Sequence, residues 1–170
     1  DKKISSINMK PSFSAGEKLR VVVNAPFWPL PEPGDYTITM EAIGENSETS
    51  IELTAVVTAQ YTLLMVPTSE RYNTKAEAGE ESVFSMEVGN LGTAPIDNIK
   101  FSTTKPEGWT IEFSPEKIDL LDALDSQTVD MSITAPSDTI AGDYYITLRA
   151  SGKQAATNEA QIRVTVETAP

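Results

Sequence analysis

The sequence of 170 residues predicts an all-β fold, an antiparallel β-sandwich, and three observations carry that prediction. Apolar residues alternate with polar ones at period two through most of the chain. Turn-forming clusters separate the alternating runs. Eleven prolines, spread through the connections, oppose long helices.

In chain order, the runs at 19–23 and 61–66 are apolar and strand-length. Ile51, Leu53, Ala55 and Val57 alternate through Glu52 and Thr54. Phe84, Met86 and Val88 share a face, as do Val129, Met131 and Ile133, and Ile162, Val164 and Val166. Glu32-Pro33-Gly34-Asp35 and Gly89-Asn90-Leu91-Gly92 are turn signals between such runs. Strands of this length and spacing give a sandwich of immunoglobulin-like type.

The chain also resembles itself. Leu19-Arg20-Val21-Val22-Val23-Asn24-Ala25-Pro26 reads like Val129-Asp130-Met131-Ser132-Ile133-Thr134-Ala135-Pro136. Gly34-Asp35-Tyr36 then answers to Gly142-Asp143-Tyr144, and Ala42 and Gly44 answer to Ala150 and Gly152. The offset places the counterparts of residues 61–109 ahead of residue 1. The expected organisation is therefore a partial module at 1–60, the C-terminal half of a repeat, followed by a complete sandwich at 61–170. Thr58-Ala59-Gln60-Tyr61 holds neither Gly nor Pro, so a short, stiff junction is expected. A half-sandwich exposes an apolar face and open edges. It is expected to complete itself by strand exchange in a homodimer, by another chain, or by packing on the second module.

Composition excludes several classes of chemistry. There is no Cys and no His, which removes thiolate and imidazole nucleophiles, Ser-His-Asp triads, thiolate zinc sites and disulfides. Thirteen basic against 25 acidic residues leave a net charge of −12, which disfavours nucleic acid and anionic membrane surfaces. The imbalance is uneven, −3 over 1–60 and −9 over 61–170. No apolar run approaches the roughly eighteen residues that span a bilayer. The opening Asp1-Lys2-Lys3, without Met or an apolar leader, suggests a mature or excised piece. No phosphate-binding loop, dinucleotide fingerprint or nucleophile elbow is present, so no cofactor is expected.

The stretch from Gly79 to Glu167 resembles the NPCBM-associated domain family, the immunoglobulin-like module appended to some bacterial alpha-galactosidases and found in tandem in bacterial and archaeal surface proteins. The matching residues are Gly79-Glu80, Val88-Gly89-Asn90-Leu91-Gly92, Pro106-Glu107-Gly108-Trp109, Ala135-Pro136 and Ala141-Gly142-Asp143-Tyr144. Asp125-Ser126-Gln127 departs from the Gly-containing turn more usual there, whereas Gly16-Glu17 in the first copy keeps it. The resemblance implies an extracytoplasmic accessory module without catalytic residues, whose partners are the neighbouring domains of its parent protein.

Individual residues with chemical potential have structural readings beside the functional ones. Trp109, after Pro-x-Gly, either packs on the core or stacks on a sugar ring. Tyr36 and Tyr144 open equivalent strands after Gly34-Asp35 and Gly142-Asp143, where a corner hydroxyl bonding to backbone explains them as scaffold. Phe27-Trp28-Pro29-Leu30-Pro31 has no aromatic counterpart in the second copy. Phe27 and Trp28 are either a ligand platform, for which polysaccharide is the candidate, or a cover or interface anchor. Asp119, Asp122, Asp125 and Asp130 supply carboxylates of the kind calcium takes, yet no Asp-x-Asp-x-Asp-Gly loop accompanies them, and a solvated acidic face is the expectation. A two-carboxylate glycosidase needs a cleft with one raised pKa, and no pair among the acids is marked for it.

The expected function is thus a non-catalytic spacer or accessory module, with a carbohydrate- or protein-binding module as the alternative. If Phe27 and Trp28 cover or anchor rather than bind glycan, Trp28→Ala and the parent chain will both fail to retain polysaccharide in affinity electrophoresis. Retention of the parent alone would establish the platform.

Overall fold

The computed structural model describes Val22, Val23 and residues 30–167. These residues form eleven strands: β1 Gly34–Ile43, β2 Glu48–Val57, β3 Leu63–Pro67, β4 Asn73–Glu77, β5 Glu81–Asn90, β6 Ile96–Thr104, β7 Thr110–Ser114, β8 Lys117–Leu121, β9 Ser126–Thr134, β10 Gly142–Ser151 and β11 Ala160–Glu167. β1 and β2 make a two-stranded antiparallel ribbon. The other nine build an immunoglobulin-like sandwich of a five-stranded sheet, ordered β4-β11-β10-β6-β8, and a four-stranded sheet, ordered β3-β5-β9-β7. Pairing is antiparallel except between β4 and β11.

Period-two alternation becomes a core because the sheets turn their apolar faces toward each other. Phe84, Met86 and Val88 on β5 and Val129, Met131 and Ile133 on β9 form one wall. Ile146, Leu148 and Ala150 on β10 and Ile162, Val164 and Val166 on β11 form the other. Met131 lies near the centre, in register with Phe84 on one side and Phe113 on the other. Phe113 in turn meets Phe101 of β6 with ring centroids 5.0 Å apart.

The intervening positions face water and are mostly polar. On the outer surface of the four-stranded sheet, hydroxyls and carboxylates pair across strands. Ser85 Oγ donates to Asp130 at 2.6 Å, and Ser132 Oγ to Glu81 at 2.5 Å.

The junction between the ribbon and the sandwich is held down by the connection after β5. Thr93 N–H donates to the Gln60 carbonyl at 2.8 Å, and Gln60 N–H donates to Thr93 Oγ1 at 2.9 Å. Gly92 permits this approach. A Cβ there would stand 2.2 Å from the Gln60 carbonyl oxygen, so any larger residue must displace backbone.

The ribbon departs from what its sequence pattern suggests. Ile51, Leu53, Ala55 and Val57 alternate as expected, but Ile51 is 55% and Leu53 45% exposed. Alternation reports which face is apolar. It does not report whether a second layer covers that face, and among the described residues no further strand pairs with β1 or β2.

The contrast gives a measurable difference between two apolar strands. Met131→Ala, at a site with no solvent exposure, should destabilise the sandwich by about 2–5 kcal/mol through lost burial and the cavity left behind. Ile51→Ala should change it by less than about 0.5 kcal/mol. Urea unfolding followed by tryptophan fluorescence reads both.

Candidate functional site

The two Gly-Asp-Tyr corners share one geometry. Tyr36 Oη donates to the carbonyl of Glu32 and Tyr144 Oη to that of Ile140, each at 2.8 Å and each four residues upstream. Gly34 and Gly142 have φ of 152° and 159°, with nothing within 4 Å of where a Cβ would stand. The hydroxyls are spent on backbone. The environments differ: the Tyr144 ring packs on Trp109 with centroids 5.1 Å apart, whereas Tyr36 stands in solvent.

Trp109 is 3% exposed and belongs to the core. Its position follows from the turn before it. Gly108 takes φ 82°, a left-handed conformation that glycine adopts without penalty, and Trp109 N–H returns to the Pro106 carbonyl at 3.3 Å. The indole is thereby turned inward, with no face left for a sugar ring, and Lys105 Nζ caps its carbonyl. Phe27 and Trp28, the candidate ligand-binding pair, lie outside the described residues.

The acidic residues of 119–130 do not converge. Asp119, on β8, pairs with Lys117 at 2.9 Å, Asp122 and Asp125 close the turn between β8 and β9, and Asp130 accepts the Ser85 hydroxyl. Among the described residues no three acidic side chains gather as metal ligands would. The hydrogen bond and charge of Asp119, with a smaller contribution from Glu116, raise the Lys117 pKa above its ordinary value. Both partners are exposed, and such pairs contribute little to stability.

In the sequence Asn90 is one turn residue among several; in the fold it is the principal buried polar side chain among the described residues. It has no solvent exposure. Its Nδ2 donates to the carbonyls of Ala94 at 2.9 Å and Leu121 at 3.0 Å, and its Oδ1 accepts from Gly92 N–H at 2.9 Å. Its backbone exchanges bonds with the β8–β9 turn, donating to Asp125 and accepting from Leu124. The signal in the sequence was an Asn closing an apolar alternation at Phe84, Met86 and Val88, a position where a strand would otherwise carry another aliphatic side chain.

An open groove of about 520 Å³ lies beside β3, bounded by Leu64, Val66, Tyr72, Asn158 and Gln161. β3 is the edge of its sheet, and Leu64, Val66 and Tyr72 present exposed apolar surface there. No carboxylate pair or nucleophile–base pair occupies the groove. Its chemistry is that of contact, an unpaired strand edge with alternating apolar side chains.

Comparison with known proteins bears on the sandwich. Residues 76–153 match the NPCBM-associated, NEW3 domain of alpha-galactosidase, the family that the sequence resembles. The matched segment runs from β4 to just past β10 and takes in Asn90, Trp109 and the second Gly-Asp-Tyr corner, while the β1–β2 ribbon lies outside it. No curated protein matches.

Solved structures with a similar chain path are distant. A family 123 glycoside hydrolase from Clostridium perfringens is 11% identical over 64% of this chain, at a TM-score of 0.42. This chain spans only 27% of that enzyme. The ASH / PapD-like domain 7 of human CEP192 is 17% identical, with 64% of this chain and 87% of that one covered at a TM-score of 0.43. The E. coli chaperone DraB is 12% identical, with 64% and 55% covered at a TM-score of 0.44. Scores and identities this low carry no argument about function.

Removing the Asn90 amide should be costly out of proportion to its size. Asn90→Ala removes three hydrogen bonds, two of them in buried surroundings at the Leu121 carbonyl and Gly92 N–H, worth about 3 kcal/mol of lost stability. Asn90→Asp should be no better at neutral pH, because its carboxylate would face the Ala94 and Leu121 carbonyl oxygens. Thermal unfolding of both variants against the parent checks this.

Proposed function

We propose that this chain is a non-catalytic accessory module of a larger extracytoplasmic protein, acting as a spacer. The observation that carries the reading is the match of residues 76–153 to a domain family named for its association with alpha-galactosidase. Three features support it. The apolar side chains of the sandwich core and the two corner tyrosine hydroxyls are committed to packing and backbone bonds. Carboxylates such as Asp130, Glu81 and Asp143 accept hydrogen bonds from neighbouring Ser and Thr hydroxyls. Net charge of −9 over 61–170 favours solubility over self-association. A spacer's work is geometric, holding neighbouring domains of the same polypeptide apart through a short junction such as the one pinned at Gln60.

A second reading, a binding module, is favoured by one feature alone. The β3 edge, with Leu64 and Val66 above its groove, suits an extended segment that adds a strand to the sheet.

The spacer reading predicts no release of nitrophenol from p-nitrophenyl α-galactoside and no saturable heat, in titration calorimetry, with galactose-containing polysaccharides or with extended peptides of alternating apolar and polar residues. Replacing Leu64 with Lys should leave the chain's behaviour unchanged in both assays. Saturable binding lost in Leu64→Lys would replace the spacer with the binding module, and turnover would overturn both.

A further inference from the structure

The β1–β2 ribbon repeats β10–β11 in more than sequence. Gly34 is in register with Val57, Tyr36 with Ala55 and Ile38 with Leu53, as Gly142 is with Val166, Tyr144 with Val164 and Ile146 with Ile162. Both ribbons begin with the same tyrosine corner. At the far ends Gly44 N–H donates to Ser47 at 2.7 Å, and Gly152 N–H to Ala155 at 2.8 Å.

Their surroundings are opposite. In β10–β11 the face bearing Ile146, Leu148, Ile162 and Val164 is closed by the facing sheet, and its edges pair with β6 and β4. In β1–β2 the corresponding face carries Tyr36, Ile38, Met40, Ile51 and Leu53, with Tyr36, Ile51 and Leu53 exposed, while Thr37, Thr39, Glu52 and Thr54 occupy the other side. Among the described strands neither ribbon edge has a partner beyond its sister strand.

Size and stoichiometry indicate what closes it. Ten-residue strands at about 3.3 Å per residue, two strands wide, offer a face of roughly 330 Å². Two such ribbons packed face to face fall well short of the roughly 800 Å² per partner of a stable interface. Exchange between two copies does not help either. Among the described residues each chain holds one set of β3–β6 strands, which its own β10–β11 already fills, so exchange leaves ribbons in excess. A β6-type and a β4-type strand, with their facing sheet, would satisfy both the face and the two edges.

We propose that the β1–β2 ribbon is the C-terminal half of a second sandwich, and that its occupant is an N-terminal half-module of this same kind, equivalent to residues 61–109. The ribbon docks between the β6-like and β4-like strands of that half. This holds whether the chain serves as a spacer or as a binding module, and its tests read neither catalysis nor ligand binding.

The test places a copy of residues 61–109 directly ahead of Asp1 in the full chain and compares amide hydrogen exchange of residues 34–57 with that of the parent. A two-stranded ribbon alone is marginally stable, so the parent should exchange fast there and the grafted chain at least about 100-fold more slowly. Leu53→Asp should abolish that protection in the graft and leave exchange in β3–β11 of the parent unchanged. Independently of how the graft folds, the parent should bind an apolar dye such as ANS, and Ile38→Asp with Leu53→Asp should remove most of that signal. Strong protection of 34–57 in a monomeric parent, or in a dimeric one, overturns the proposal by showing that the same chain or a second copy already closes the face. Fast exchange in a graft whose added strands are themselves protected overturns it, as does a parent that binds no dye.

Discussion

Asn90 sits where the last residue of a buried strand would ordinarily be aliphatic, and it ties together three chain segments at the ends of paired strands of both sheets. Its amide reaches the connection into β6 through Gly92 and Ala94 and the end of β8 through Leu121, while its backbone holds the β8–β9 turn. β5 and β9 belong to one sheet, and β6 and β8 to the other. The residue therefore fixes how the two sheets are joined at this end of the sandwich. A buried amide left unpaired is costly, so the loops are constrained to the geometry that satisfies it. The same connection carries Thr93, whose bonds to Gln60 set where the ribbon's chain enters the sandwich.

Around that anchor the core is conventional in its physics. Apolar residues from both sheets fill the interior, and the polar groups among them find partners: no buried side-chain nitrogen or oxygen is left without one among the described residues. Thr157 illustrates the economy, its hydroxyl accepting from Ala150 N–H at 3.0 Å and so binding the long β10–β11 connection to its own strand. Charge stays on the outside, in exposed pairs such as Lys75 with Glu167 and Lys117 with Asp119, where water screens it. Among the described residues no Asp or Glu is buried, so the acidity found there is a property of the surface.

Two ribbons of matching register and matching corners, one fully enclosed and one open, separate local from tertiary causes. The Tyr hydroxyl, the Gly-Asp turn and the cross-strand register form in both, so they are set by local sequence. Burial follows only where a second sheet exists. Ile162 is closed to solvent because the facing four-stranded sheet completes the core around it, and Leu53, its counterpart, is 45% exposed.

Sequence alone determined the alternating strands β2, β5, β9 and β11, their apolar faces and the corner turns, because period-two alternation and turn chemistry act over a few residues, and it left β4, β6, β7 and β8 unmarked. It also excluded His- and Cys-based chemistry outright. It left Trp109 open between core and sugar platform, and tertiary structure decided that, since the left-handed Gly108 and the facing Tyr144 ring draw the indole inward. It gave no sign that Asp119, Asp122 and Asp125 would be separated by a strand end and a turn. It could not distinguish Leu53 from Ile162, nor raise Asn90 above its neighbours. Each of those outcomes depends on which distant strand lies opposite, and that is information no local pattern contains.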